Sequence, residues 1–144
     1  MSSDVTESRI RIAAPPAAVL AVVADVEAYR EWNEEVRAVE VLSRDSEGRP
    51  ARVRFVLDAN PIKDTYVLAY DWADAGVRWC LHEGQLLSAL DGSYELRPQA
   101  DGSTDVTYRL ALDLKIPMIG LLKRKGEKVL IERALQGLKR RVES

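Results

Sequence analysis

From Val36 to Leu114 the chain alternates polar and apolar residues with a period of two, and from Pro117 to Ser144 the apolar positions return at helical spacing. Strands that follow one another without intervening helices cannot be joined by parallel crossovers, so they must pair antiparallel. A half-apolar antiparallel sheet needs a cover on one face, and the terminal helix is the element left to supply it. The pattern therefore predicts an α+β domain.

The elements read off in order. Val5 to Ala13 alternates as a first strand, which Pro15 and Pro16 stop. Prolines suit a first helical turn, and Ala17, Val19, Leu20, Val22, Val23 and Ala24 continue it as a helix. Asp25 is the expected N-cap of a second short helix, Val26 to Trp32. About six strands follow, with turns at Ser46 to Gly48, Asn60-Pro61, Ala73 to Gly76 and Asp101-Gly102, and glycines at 84 and 92. Val106, Tyr108, Leu110, Leu112 and Leu114 mark the last strand. Leu122, Val129, Ile131, Leu135, Leu138 and Val142 then form a drifting helical stripe with Lys and Arg opposite.

A chain of 144 residues, 47% apolar, fits one domain spanning 1–144, and buries roughly 70% of its unfolded surface. One cysteine, Cys80, and one histidine, His82, exclude an internal disulfide framework and a Cys/His metal cluster. No metal and no cofactor are expected. The amino-terminal residues lack an apolar leader core, and no long uncharged apolar run occurs, so the expected location is the cytoplasm. Fifteen arginines against six lysines point to a bacterial source. The net charge of −2 argues against DNA as a partner. It conceals +6 over residues 115–144 and −8 over the remainder, read as a cationic helix on an acidic body.

The stretch from Ile10 to Trp32 carries Ala14-Pro15, the apolar helix Val19 to Val23, Asp25, and Tyr29 three residues before Trp32; Tyr94, Leu96, Pro98 and Leu138-Lys139 add to it. With this element order the chain resembles the START-related helix-grip (SRPBCC) superfamily, which includes polyketide cyclases and dehydrases, coenzyme-Q-binding proteins and lipid-transfer domains. The resemblance spans the chain. It implies a curved antiparallel sheet of about seven strands wrapped around a long C-terminal helix, with two short helices after the first strand and a cavity between sheet and helix. The scaffold identifies the fold and leaves its contents open.

The residues support a cavity independently. Phe55 and Leu57, then Tyr66, Leu68 and Tyr70, then Trp79 and Leu81, then Tyr108, Leu110 and Leu112 share the inward parity of successive strands, more bulk than one helix stripe covers. Tyr94 adds another ring, and Met118, Leu122, Gly126 and Val129 are the expected helix-side contacts. Gly126 in mid-helix costs about 1 kcal/mol against alanine, for which room beneath it is one reason. Tyr66, Tyr70, Tyr94 and Tyr108 supply hydroxyls to orient an otherwise apolar ligand. Tyr29 and Trp32 read mainly as scaffold.

No catalytic residue is assigned. His82 and Cys80 share the outward parity of Arg78, and Cys80 reads as a small apolar filler. Asp64 and Glu83 fall on the inward parity at the sheet rim, by default solvated. Ile116 to Leu122, followed by Lys123-Arg124-Lys125, combines apolar residues and cations in a way that suits transient contact with an anionic membrane; plain burial of the apolar residues is the alternative. Three functions stay open: carriage of a small hydrophobic ligand (lipid, isoprenoid or polyketide-like) without covalent chemistry; a cyclase or dehydrase on the same scaffold; and a protein-interaction module of the toxin-antitoxin type. The sequence leaves the oligomeric state open.

Overall fold

The computed structural model describes residues 5–59, 62–116 and 120–144. Strand β1 (Thr6–Ile12) leads to helix α1 (Pro16–Ala24), a 3-10 segment (Val26–Glu31), strands β2 (Val36–Arg44), β3 (Pro50–Ala59), β4 (Ile62–Ala73), β5 (Gly76–Gly84), β6 (Leu87–Pro98) and β7 (Thr104–Leu114), and finally helix α2 (Gly120–Glu143). The seven strands form one sheet in the order β1-β7-β6-β5-β4-β3-β2, antiparallel throughout.

β2 to β7 run as a meander because their turns are short, with Gly48 and Gly102 supplying the positive φ that two of these turns require. β1 closes the far edge, with Ile10 opposite Val106. Pro16 starts α1 with a φ already fixed and no N–H to satisfy. Asp25 stands at the N-cap position expected from the sequence, though not through a side-chain bond. Its backbone N–H instead closes α1 onto Ala21 and Val22, and its carboxylate makes no capping bond. The two elements share this one junction residue, and the segment after it is a tight 3-10 coil.

Inward parity holds along the sheet. Val53, Phe55, Leu57, Tyr66, Leu68, Val77, Trp79, Tyr94, Leu96, Val106, Leu110 and Leu112 are all buried. The opposite face carries exposed pairs such as Arg54 with Glu40 and Arg109 with Glu7, each worth about 0–1 kcal/mol. Register shifts in β2–β3, β4–β5 and β6–β7 insert extra residues and bend the strands, so the sheet curves round α2.

Helix α2 lies mainly against β1 and β7. Its Glu127, buried, accepts the Thr6 hydroxyl at 2.7 Å and the backbone N–H of Leu112 at 3.0 Å. β1 pairs with β7 only as far as Leu110, so the Glu127 carboxylate takes the donor beyond the end of the pairing. Lys139 donates to the Arg11 carbonyl and Glu143 accepts from the Ala13 N–H, both at 2.8 Å, which fastens the helix end to the end of β1. Gly137 allows the closest approach. A Cβ there would lie 2.1 Å from the Trp32 carbonyl oxygen. No helix among the described residues is long and apolar enough to cross a membrane.

Candidate functional site

Between the concave face of the sheet and α2 lies a small cavity of about 70 Å³, partly open to solvent. Strand parity builds most of its wall: Phe55 and Leu57 from β3, Tyr66, Leu68 and Tyr70 from β4, Trp79 from β5, Tyr94 from β6, Tyr108 and Leu110 from β7. Seven of the nine aromatic rings in the chain border this space. They form two contact series. One runs from Trp32 to Tyr29 at 4.8 Å between centroids and on through Phe55 to Tyr66; the other joins Trp72, Tyr70, Trp79, Tyr94 and Tyr108, with Tyr94 and Tyr108 4.7 Å apart.

The hydroxyls divide in function. Tyr29 donates to the Val23 carbonyl at 2.5 Å and so is held by the scaffold. Trp72 likewise donates through Nε1 to the Pro50 carbonyl at 2.7 Å. Tyr66, Tyr70, Tyr94 and Tyr108 have no hydrogen-bond partner among the described residues, and none of their hydroxyl oxygens is sealed from the open space. Burial raises the pKa of all four, above all by desolvating the phenolate, with neighbouring phenols adding to it for Tyr66, Tyr70 and Tyr94. They are neutral donors at any physiological pH.

Nine of the expected contacts therefore come together in this wall. Leu81 does not reach it. β5 leaves its register with β6 after Cys80, and Leu81 sits half-buried where the two strands part. Gly126 and Val129 also lie off the wall: among the described residues of α2, Leu130 and Ala134 border it. Val129 is about 100° round the helix from Leu130, and Gly126, one turn earlier, has no side chain to extend. Met118 and the side chain of Leu122 lie outside the described residues. Sequence reasoning missed Tyr29, Asn33 and Val36, although 29, 33 and 36 recur at helical spacing, and missed Leu87 and Leu90, while Leu112 lines the wall as its inward parity predicts. Leu112 shares the parity of Tyr108 and Leu110. Leu87 and Leu90 were hidden by the register shift between Leu87 and Ala89.

The polar candidates are placed elsewhere. His82 is exposed beside Arg52, with Nε2 3.3 Å from the guanidinium. Cys80 is exposed rather than a filler, because the outer face of β5 is uncovered. Asp64 is buried, not solvated. Its carboxylate accepts the N–H groups of Thr65, Gln85 and Leu87 at 2.8–3.1 Å and so caps the β5–β6 turn. Glu83 is exposed, since the bulge at His82 sets it opposite Val67 instead of Tyr66. Of the apolar and basic segment before α2, residues 117–119 lie outside the described residues; Ile116 is exposed, and Lys123 is bound to Asp113 at 3.0 Å.

Gly92 shapes the wall. Trp79 pairs with it across β5 and β6, and the indole lies flat over the glycine, so that a Cβ there would stand 2.3 Å from the ring. Gly92→Ala is expected to push the indole by about 1 Å into the cavity, shifting tryptophan emission and costing roughly 1–3 kcal/mol in urea unfolding. Unchanged emission would contradict the ring placement.

Residues 3–143 match the family model described as polyketide cyclase / dehydrase and lipid transport. The chain belongs to this family. Its fold is shared with a START superfamily protein from Mycobacterium smegmatis, at a TM-score of 0.90 and 24% identity over 96% of this chain and 97% of that one. A Thermus thermophilus protein follows at 0.81 and 28% identity, again over 96% and 97%. The Zhui aromatase/cyclase of a Streptomyces species has a TM-score of 0.80 at 17% identity, covering 99% of this chain and 94% of that protein. None of the curated proteins matches the chain. The fold is the START-like, helix-grip fold, with the cavity lying between its sheet and its terminal helix.

Proposed function

We propose that the protein binds a small hydrophobic ligand, lipid, isoprenoid or polyketide-like, in the cavity between sheet and α2, without covalent chemistry. The observation that carries the reading is the four unpartnered phenol hydroxyls set in a largely apolar, ring-lined space. Apolar walls supply dispersion and area, while a few placed polar groups give orientation. Phenols kept neutral by burial donate, so the ligand they suit presents acceptors such as carbonyl oxygens. The lining contains no His, Cys, Lys, Asp or Glu among the described residues, and a phenol with a raised pKa is a poor general base near neutrality. Binding is therefore favoured over proton-transfer catalysis.

A cyclase or dehydrase activity is the second reading. It draws on the family description and on the fold shared with an aromatase/cyclase, and would use a neutral tyrosine as acid toward a ligand carbonyl.

Native mass spectrometry of the purified protein, followed by organic extraction, tests the first reading. The expected result is an apolar molecule retained at near-stoichiometric ratio, or, for protein freed of it, a thermal midpoint raised by acceptor-bearing aromatic compounds; saturation at a hundred times Kd adds about 2.7 kcal/mol. Tyr108→Phe is expected to weaken such binding about fivefold, one hydrogen bond of about 1 kcal/mol. An empty protein with a midpoint unmoved by fatty acids, quinones and aromatic ketones would overturn the proposal, and turnover of an aromatic polyketone would favour the second reading.

A further inference from the structure

Among the described residues three carboxylates are buried, and they are satisfied unequally. Asp64 accepts three backbone N–H groups, and Glu127 has one donor on each oxygen. Glu35 differs. Its Oε2 accepts from Arg133 Nη1 at 3.0 Å, while its Oε1 is buried without a partner among the described residues. The Glu35 side chain is 7% exposed, that of Arg133 60%. A buried carboxylate oxygen normally finds a donor, so an empty one asks what fills it.

Its position supplies the answer. Asn33 and Val36 border the cavity on one side of Glu35 and the other, just as Leu130 and Ala134 border it on either side of Arg133. Glu35 and Arg133 themselves line an outer polar groove together with Glu31, Glu34 and Arg37. Val36 lines both spaces, so the ion pair, which lines the groove and not the cavity, stands at the wall that separates the two, with Glu35 Oε1 closed off inside it. Arg133 already balances the charge of Glu35, which suits a neutral donor better than a second cation.

We infer that Glu35 Oε1 is a ligand-binding acceptor in this wall, and that the ligand carries a hydroxyl or amide N–H donor at its groove end in addition to the acceptors that the phenols take. The inference rests on the proposed ligand-binding role of the cavity. It narrows the class to apolar, ring-containing molecules with polar groups of both kinds.

The test uses 2-naphthol and 2-methoxynaphthalene, which have the same ring body and an oxygen acceptor but differ in the donor. Titrations of wild type, Glu35→Met and Arg133→Met by calorimetry are compared, with thermal melts confirming that each variant folds. The expected result is at least fivefold tighter binding of 2-naphthol by wild type, a preference lost in Glu35→Met and kept or increased in Arg133→Met, where the carboxylate remains. If the pair were only a structural clasp, both variants would change binding of the two probes alike, and that outcome overturns the inference. Equal binding of both probes by wild type overturns it too, while leaving the cavity reading intact. Binding of neither probe overturns the inference, and the cavity reading is then decided by the fatty acids, quinones and aromatic ketones. Should Glu35→Met fail to fold, Arg133→Met decides: a hydroxyl preference that persists supports the assignment, and one that vanishes overturns it.

Discussion

Gly137→Ala is expected to destabilise the protein by about 3 kcal/mol, although the same change in an exposed helix gains about 1 kcal/mol. The reversal has a geometric cause. The added methyl would stand 2.1 Å from the Trp32 carbonyl oxygen and 3.1 Å from its ring, and backbone cannot swing aside as a flexible side chain can. α2 would have to lift from the segment that carries Trp32, opening the contact between Tyr29 and Trp32 and the rim of the cavity. Urea unfolding followed by circular dichroism measures the loss. A midpoint equal to or above that of wild type would show that α2 does not approach the backbone this closely.

The second large effect is an alkaline limit to stability. Tyr29, Tyr66, Tyr70, Tyr94 and Tyr108 all have pKa values raised by burial in the fold, against about 10 when unfolded. A group raised in this way contributes its full stabilisation below the unfolded value. Above pH 10 the unfolded chain loses protons that the folded chain keeps, so stability falls by about 1.4 kcal/mol per pH unit for each tyrosine. Five together exhaust a typical domain stability of about 5–15 kcal/mol within roughly one to two pH units. The expected result is cooperative unfolding near pH 11–12, with tyrosinate absorbance and circular dichroism changing in one step. Between pH 6 and 9 the tyrosines contribute no pH dependence. Gradual ionisation near pH 10 with the fold intact would contradict the burial of these phenols.

Both effects come from places that the sequence marks unequally. The tyrosines could be found from the pattern, because side-chain direction in a strand depends only on counting by two, and parity put Phe55, Tyr66, Trp79, Tyr94 and Tyr108 on one face. That count fails where a strand gains a residue. The extra residue at His82 turned Glu83 off the expected face, and the shift after Leu87 concealed two leucines of the wall. Nothing local signals such a bulge, since it is set by pairing with strands distant in the chain.

Helices tell a similar story. The spacing of apolar residues announced α2 and its buried Ile131, Leu135 and Leu138, but nothing in it marked Gly137, where the helix comes close to the Trp32 backbone. Which glycine meets a neighbour depends on where the helix lands, and that follows from Glu127 binding β1 and β7 and Lys139 reaching Arg11. Asp64 and Glu35 make the same point for charge. As letters they are two carboxylates near strand ends, while the fold gives one three backbone donors and leaves the other with an unpartnered oxygen.

The sequence by itself determined the class, the order of strands and most of the inward face of the sheet, because these follow from periods of two and 3.6 and from short turns that allow only antiparallel neighbours; the family was legible as a resemblance carried by Ala14-Pro15, Asp25, Tyr29 and Trp32. Tertiary structure alone decided where space remains, which hydroxyls lack partners, and which carboxylate stands in the wall between cavity and groove. A void is the difference between the volume that the elements enclose and the volume that their side chains fill, and that difference is defined only after sheet and helix have met.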